Sequence, residues 1–192
     1  AAAKGYHELA ELLCKKGIDI EYKDSINCIN ALAHALFFQQ PQVVKVLIKY
    51  GANVNAQDRY KCSIGFQCVL FMSTNYEDLE KIKKRNECFN LLLSNGLDLN
   101  VPIKQKKNSY LVSAVRYGDE SLVKILIDVV DKAYINNYSK ETKVTALDMA
   151  LNMHTDYPDV PNPLEVFSQT KKRIIQELRN AGAKTYKELK AK

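Results

Sequence analysis

The chain has 192 residues, of which 46% are hydrophobic, 26% charged and 9% aromatic; that supports one globular domain or a short repeat array and excludes disorder over most of its length. Seven Gly and five Pro exclude a collagen-like or low-complexity chain, and no apolar stretch approaches the roughly 20 residues a membrane-spanning helix needs. The 28 Lys and Arg against 22 Asp and Glu give a net charge of +6, mildly basic and short of the dense charge of a dedicated nucleic-acid binder.

In chain order, one pattern returns. Leu12-Leu13-Cys14-Lys15-Lys16-Gly17, Leu47-Ile48-Lys49-Tyr50-Gly51 and Leu92-Leu93-Ser94-Asn95-Gly96 each place an apolar pair before two polar residues and a glycine, followed by alternating residues. Weaker copies run through Leu126-Ile127-Asp128-Val129-Val130 and Leu178-Arg179-Asn180-Ala181-Gly182. The anchors Gly17 and Gly51 lie 34 residues apart, as do Gly96 and Val130, while Gly51 to Gly96 takes 45 and Val130 to Gly182 takes 52. A period of this size with two insertions predicts a repeat array. Each unit reads as two short antiparallel helices and a turn. Small residues in Asn30-Ala31-Leu32-Ala33-His34-Ala35-Leu36 let two helices approach closely, 43–50 is apolar at helical spacing, and Gly51 supplies a left-handed stop. A single pair cannot bury its apolar face, so copies must stack.

These motifs resemble the ankyrin-repeat family, over nearly the whole chain. The second halves Val44-Lys45-Val46-Leu47-Ile48-Lys49-Tyr50-Gly51-Ala52-Asn53-Val54-Asn55 and Gly118-Asp119-Glu120-Ser121-Leu122-Val123-Lys124-Ile125-Leu126-Ile127 carry the resemblance best. First halves are poorer, with Ala31-Leu32, Tyr110-Leu111 and Ala146-Leu147 where Pro-Leu is usual, and Ile64-Gly65 without the Leu. The resemblance implies an all-α solenoid of paired antiparallel helices with β-hairpin or loop fingers. It implies one domain over 1–192, in units of about 1–23 (partial), 24–57, 58–102 with an insertion near 73–85, 103–138, and 139–192 with an insertion near 154–163. Ala1-Ala2-Ala3-Lys4-Gly5 aligns with the middle of a unit, so the first inner helix is expected to be cut, with something upstream removed. Ser73-Thr74-Asn75 is expected to cap a longer helix over 76–95. Three prolines in 154–163 predict an irregular loop before a last helix over 164–180, and 181–189 resembles the polar closing segment of bacterial ankyrin proteins.

Little in the sequence supports catalysis. His7 and His154 fall on outer or inserted segments, and His34 lies on an inner helix where a packed, partly solvated state is expected. Cys62 is read at a hairpin tip and Cys68 inside a helix, without a positioned His partner. Asp78 with Glu80 reads as a solvated pair. Phosphate-loop, zinc-protease and calcium-loop motifs are all missing. No enzyme activity, cofactor or metal is therefore expected. Five cysteines (Cys14, Cys28, Cys62, Cys68, Cys88) without a Cys-x-x-Cys pair point to reduced thiols, hence the cytoplasm or another reducing compartment, with export to a host cell left open.

What remains is binding surface, which the resemblance places on the concave side. The residues ending each inner helix are Phe37 and Phe38, Leu70 and Phe71, Arg116 and Tyr117, and Asn152 and Met153; a row of Phe38, Phe71, Tyr117 and Met153 reads as an apolar seat for a partner protein, or as a strip the insertions cover. The finger tips bring Arg59 and Tyr60, Lys104 and Lys107, which with Arg116 form a charged rim. Lys81-Ile82-Lys83-Lys84-Arg85 reads as a solvated basic run. The expected function is a non-catalytic scaffold binding a protein partner, as a monomer. The alternatives are a nucleic-acid or anionic-surface binder acting through basic finger tips, and an accessory region of a larger enzyme or secreted effector.

Overall fold

A computed structural model of the chain describes residues 1–26, 28–70, 78–100, 109–138, 143–152 and 163–191. The chain forms two compact units, Ala1–Gln105 and Lys106–Lys192.

In the first unit the outer helices are α1 (His7–Lys15), α3 (Pro41–Lys49) and α5 (Leu79–Ser94), and the inner ones are α2 (Ala31–Phe37) and the short α4 (Gln67–Leu70). A 3-10 turn at Ala2–Lys4 precedes α1 and another at Ile64–Phe66 leads into α4. Helix α3 packs on α1, α2 and α5, and α2 on α4. Asn30 starts α2 by accepting the Ala33 N–H at 3.0 Å, and Leu32, Ala33, Ala35 and Leu36 are completely buried. Seven residues form a helix here because the cap satisfies an orphan donor and the alanines let neighbours approach. Pro41 opens α3, where its missing N–H is harmless, and Val43, Val44 and Leu47 bury its inward face. At the same places in α1, Leu9 and Leu13 are exposed.

The second unit repeats the plan with inner helices α6 (Tyr110–Arg116) and α9 (Ala146–Leu151) and outer helices α7 (Glu120–Val129) and α10 (Pro163–Asn180). Between them lies a single turn, α8 (Lys132–Ile135), and α11 (Tyr186–Lys190) follows. Helix α6 packs on α7 and α9, and α10 on α9 and α7. The carboxyl of Asp119 and the hydroxyls of Ser109, Thr145 and Thr185 cap α7, α6, α9 and α11.

Gly17, Gly51, Gly96 and Gly182 end α1, α3, α5 and α10 with φ between 76° and 90°. Around Gly17, Gly51 and Gly96 an added Cβ would meet nothing, so backbone conformation, and no crowding, selects glycine there. Beyond these stops, asparagine stitches one repeat to the next. The Asn55 side chain accepts the Asp98 N–H at 2.7 Å and donates to the Gly96 carbonyl at 2.9 Å. Asn136 does the same in the second unit, toward the Lys184 N–H at 2.7 Å and the Gly182 carbonyl at 3.2 Å. One carboxamide thus satisfies both a donor and an acceptor of a turn that no helix can pair.

Several expectations change. Asp78 caps α5, so the helix starts at Leu79; Ser73, Thr74 and Asn75 lie outside the described residues, as does the loop 154–162. Val130, the anchor of a weaker copy, has an extended backbone, and α7 gives way to the Asp131-capped α8. Within the basic run, Lys81, Lys83 and Lys84 are exposed, but Arg85 is only 1% exposed. It shares a helix face with Cys88, Phe89 and Leu92, and its guanidinium donates to the Asn86 side chain at 2.8 Å.

The closing helix α11 is held electrostatically. The Arg179 guanidinium, 3.0 Å away, and the Thr185 N–H, 2.7 Å away, hold the Glu188 carboxyl far below its ordinary 4.5, at about 2. A depressed folded-state value stabilises above 4.5, and that contribution disappears as pH falls toward about 2. Acid titration of the Thr185 and Glu188 amide resonances should show α11 loosening within this window. In Glu188→Gln that transition should vanish, and a transition of unchanged midpoint in the variant would rule this anchor out.

Candidate functional site

The candidate residues lie at the ends of the inner helices and at the fingers, and each unit carries its own. In the first unit α2 ends at Phe37 with Phe38 as its cap. The two rings sit edge to face, with centroids 5.1 Å apart and planes at 81°. Phe37 is 45% exposed and Phe38 47%. Water rather than protein covers nearly half of each ring, although edge-to-face packing secures the pair itself.

Two fingers, the first leading into the Asn30 cap of α2 and the second following α3, are each built on an aspartate. The Asp24 carboxylate accepts the N–H groups of Ile26 and Ile29, and that of Asp58 accepts those of Tyr60 and Cys62. These side-chain turns let the chain reverse within a few residues, helped by left-handed Cys28 and Lys61. In the second finger the reversal closes as an antiparallel bridge between Gln57 and Ser63. Lys23 ties the fingers together by donating to the Gln57 carbonyl at 2.9 Å. At the tip, Arg59 stacks over the Tyr60 ring at 5.3 Å, and Tyr60 is 63% exposed. Cys62, read from sequence as a tip residue, is buried on the returning side of the finger.

His34 on α2 is half-buried, its Nε2 3.4 Å from the Asp24 carboxylate; it faces a finger. His7 opens α1 on the surface, and His154 lies outside the described residues. Burial pushes the Cys68 thiol up to about 12 and raises Cys88 and Cys14 as well. These three thiols are protonated at neutral pH and make poor nucleophiles. Asp78 and Glu80 pair with Lys81 and Lys84 along α5. Among the described residues, no group of three or more His, Cys, Asp or Glu is placed to hold a metal ion, and no helix is long and apolar enough to cross a membrane.

In the second unit α6 ends at Arg116, which is exposed, and Tyr117, which is half-buried and caps the helix. Phe38 with Arg59 and Tyr60 belongs to one unit, and Arg116 with Tyr117 to the other. Phe71, Met153, Lys104 and Lys107 lie outside the described residues. Sequence reading passed over Gln39, which follows Phe38 and is left-handed; the glycine at the matching place in other units, Gly5 and Gly118, was the available signal.

Helix pairs, left-handed stops and fingers of this kind define an all-α repeat protein. Residues 28–59, from the first finger through α2 and α3 to the second, match the Ankyrin repeat family model. The chain is also similar to Ankyrin repeat and SOCS box protein 6 of Homo sapiens, at 27% identity over 110 residues, covering 57% of this chain and 24% of that one. The Mus musculus and Pongo abelii proteins of the same name match at 26% over the same coverage. The chain thus spans about a quarter of the length of the curated relatives it matches. Residues 28–59 match an ankyrin repeat, and ankyrin repeats are in general protein–protein interaction modules.

Proposed function

We propose that this chain is a non-catalytic interaction module that holds a partner protein on the face carrying the inner-helix ends and the fingers, the concave face of the family resemblance. The observation that carries this reading is the half-exposed Phe37–Phe38 pair, a preformed apolar contact at a helix end where the repeat usually has small or polar residues. Large aromatic anchors ringed by polar groups dominate binding energy at protein interfaces. Phe38 is the anchor of the first unit with Arg59 and Tyr60 as its rim; Tyr117 with Arg116 serves the second. Phe71, Met153, Lys104 and Lys107 belong to the same proposal by their place in the repeat. Partner-binding needs no cofactor or metal, and five free thiols, four of them buried, suit a reducing compartment.

The test is affinity capture of partners by the chain and by a Phe38→Ala/Phe71→Ala/Tyr117→Ala variant of unchanged helicity, at 50 and 300 mM salt. A partner retained at high salt and released by the variant is the expected result. Binding that survives the variant but vanishes with salt transfers the function to the basic fingers and an anionic partner.

A further inference from the structure

Among the described residues, the turn that ends an inner helix is built identically at three places. At Gly5, Gln39 and Gly118 the backbone is left-handed, with φ of 73°, 52° and 68°. Each of these residues donates its N–H to the carbonyl three positions back, at Ala2, Leu36 and Val115. Each following residue donates to the carbonyl five positions back, at Ala1, Ala35 and Ala114. Two of the three turns use glycine, which enters this conformation without steric penalty. The third uses glutamine, which the turn does not require and which a Cβ makes unfavourable.

The Gln39 side chain is 4% exposed, and its Nε2 is buried without a hydrogen-bond acceptor among the described residues. Buried amide donors are nearly always paired. A strained backbone and an orphaned donor at one residue together mark a position where stability has been given up, and such positions gather at binding sites. Gln39 directly follows the exposed pair Phe37 and Phe38.

We infer that Gln39 is a specificity residue of the Phe37–Phe38 site, whose carboxamide turns outward to bond the main chain of an extended peptide segment of the partner. This rests on the reading of the helix ends as the binding surface. A carboxamide carries a donor and an acceptor side by side and therefore matches a peptide group whatever its side chain. The adjacent rings seat one apolar side chain of the same segment. A phosphate or carboxylate ligand calls for a guanidinium or ammonium at this place, where the chain has a neutral amide.

The probe is a peptide selected from a phage-displayed library of random dodecapeptides on the full chain, resynthesised with a fluorophore and titrated by anisotropy against wild type, Gln39→Gly and Phe38→Ala. The expected results are an affinity lower by about fivefold for Gln39→Gly, the loss of one neutral hydrogen bond, and a melting temperature higher by about 3 to 8 °C. Phe38→Ala should lose about tenfold or more. A peptide that loses affinity with Phe38→Ala but binds Gln39→Gly as tightly as wild type overturns the role of Gln39 and leaves the surface standing. Indifference to Phe38→Ala overturns the surface and the inference with it. So does a selection yielding no peptide, or only peptides released by 300 mM salt. A Gln39→Gly chain no more stable than wild type contradicts the orphaned, strained amide on which the inference stands.

Discussion

Replacing Phe89 by Ala is expected to lower stability by about 3 to 5 kcal/mol, the loss seen when a buried aromatic is truncated and its cavity cannot collapse. Phe89 is completely buried, and Cys88 and Leu92 beside it on α5 are as well. The helix packs on both α3 and α4, so a hole at Phe89 withdraws contacts from an outer and an inner helix at once. Repeat units hold only through their neighbours, which denies the cavity any other element to fill it. Natural domains are stable by about 5 to 15 kcal/mol, and the variant therefore loses a large fraction of the total. Urea unfolding followed by circular dichroism should show the midpoint falling by about 2 M. Leu79→Ala, on the same helix but 72% exposed, should stay within about 0.5 kcal/mol of wild type. If the two variants unfold together, the burial assigned to this face of α5 is wrong.

The contrast between Phe89 and Arg85 also shows what could be read from the sequence. The glycine stops were legible, because four outer helices end where a left-handed residue is needed and Gly17, Gly51, Gly96 and Gly182 supply it. The last helix was legible within a residue, since proline both closes the preceding loop and can open a helix. Arg85 was not. Four charges in five residues look solvated, yet helical geometry carries one of them round to the face of Cys88 and Phe89. Val130 keeps the spacing of the glycine anchors without their conformation, so the chain leaves α7 extended and takes a new cap at Asp131. At the candidate site, Phe38 and Tyr117 could be named because the repeat fixes their position. Gln39 escaped because its oddity is conformational, and a glutamine carries no sign of a left-handed backbone until its equivalents are superposed.

Asp148→Ala is the second large effect, and it should appear as the detachment of α11 before the rest of its unit unfolds. The Asp148 carboxylate accepts three hydrogen bonds through one oxygen: the Thr145 N–H at 3.0 Å, the Thr145 hydroxyl at 2.8 Å and the Tyr186 N–H at 2.8 Å. Thr145 is fully buried, and its hydroxyl in turn accepts the Asp148 N–H at 3.1 Å, completing the capping box that starts α9. A single carboxylate therefore caps one helix and anchors the first turn of another. Alanine leaves the Thr145 and Tyr186 N–H groups without this acceptor, and Thr145 has no water to turn to. Loss of a helix cap together with a carboxylate acceptor serving one buried donor, at Thr145, and one half-buried donor, at Tyr186, amounts to about 2 to 3 kcal/mol. Of the remaining anchors of α11, the Arg179–Glu188 pair is solvent-exposed and the edge-to-face contact of Tyr186 with Tyr138, at 4.9 Å between centroids, is weak, so together they hold the helix less firmly than Asp148 does. Hydrogen exchange should accordingly lose protection at the Tyr186 and Leu189 amides first and at α9 next, while Leu122 and Leu126 of α7 keep theirs. Asp148→Asn retains an acceptor oxygen in the same place and should show roughly half the loss. Equal protection of the α11 amides in wild type and Asp148→Ala would mean that Arg179 and Glu188 hold the closing helix by themselves, and the Glu188→Gln variant would then detach it at neutral pH.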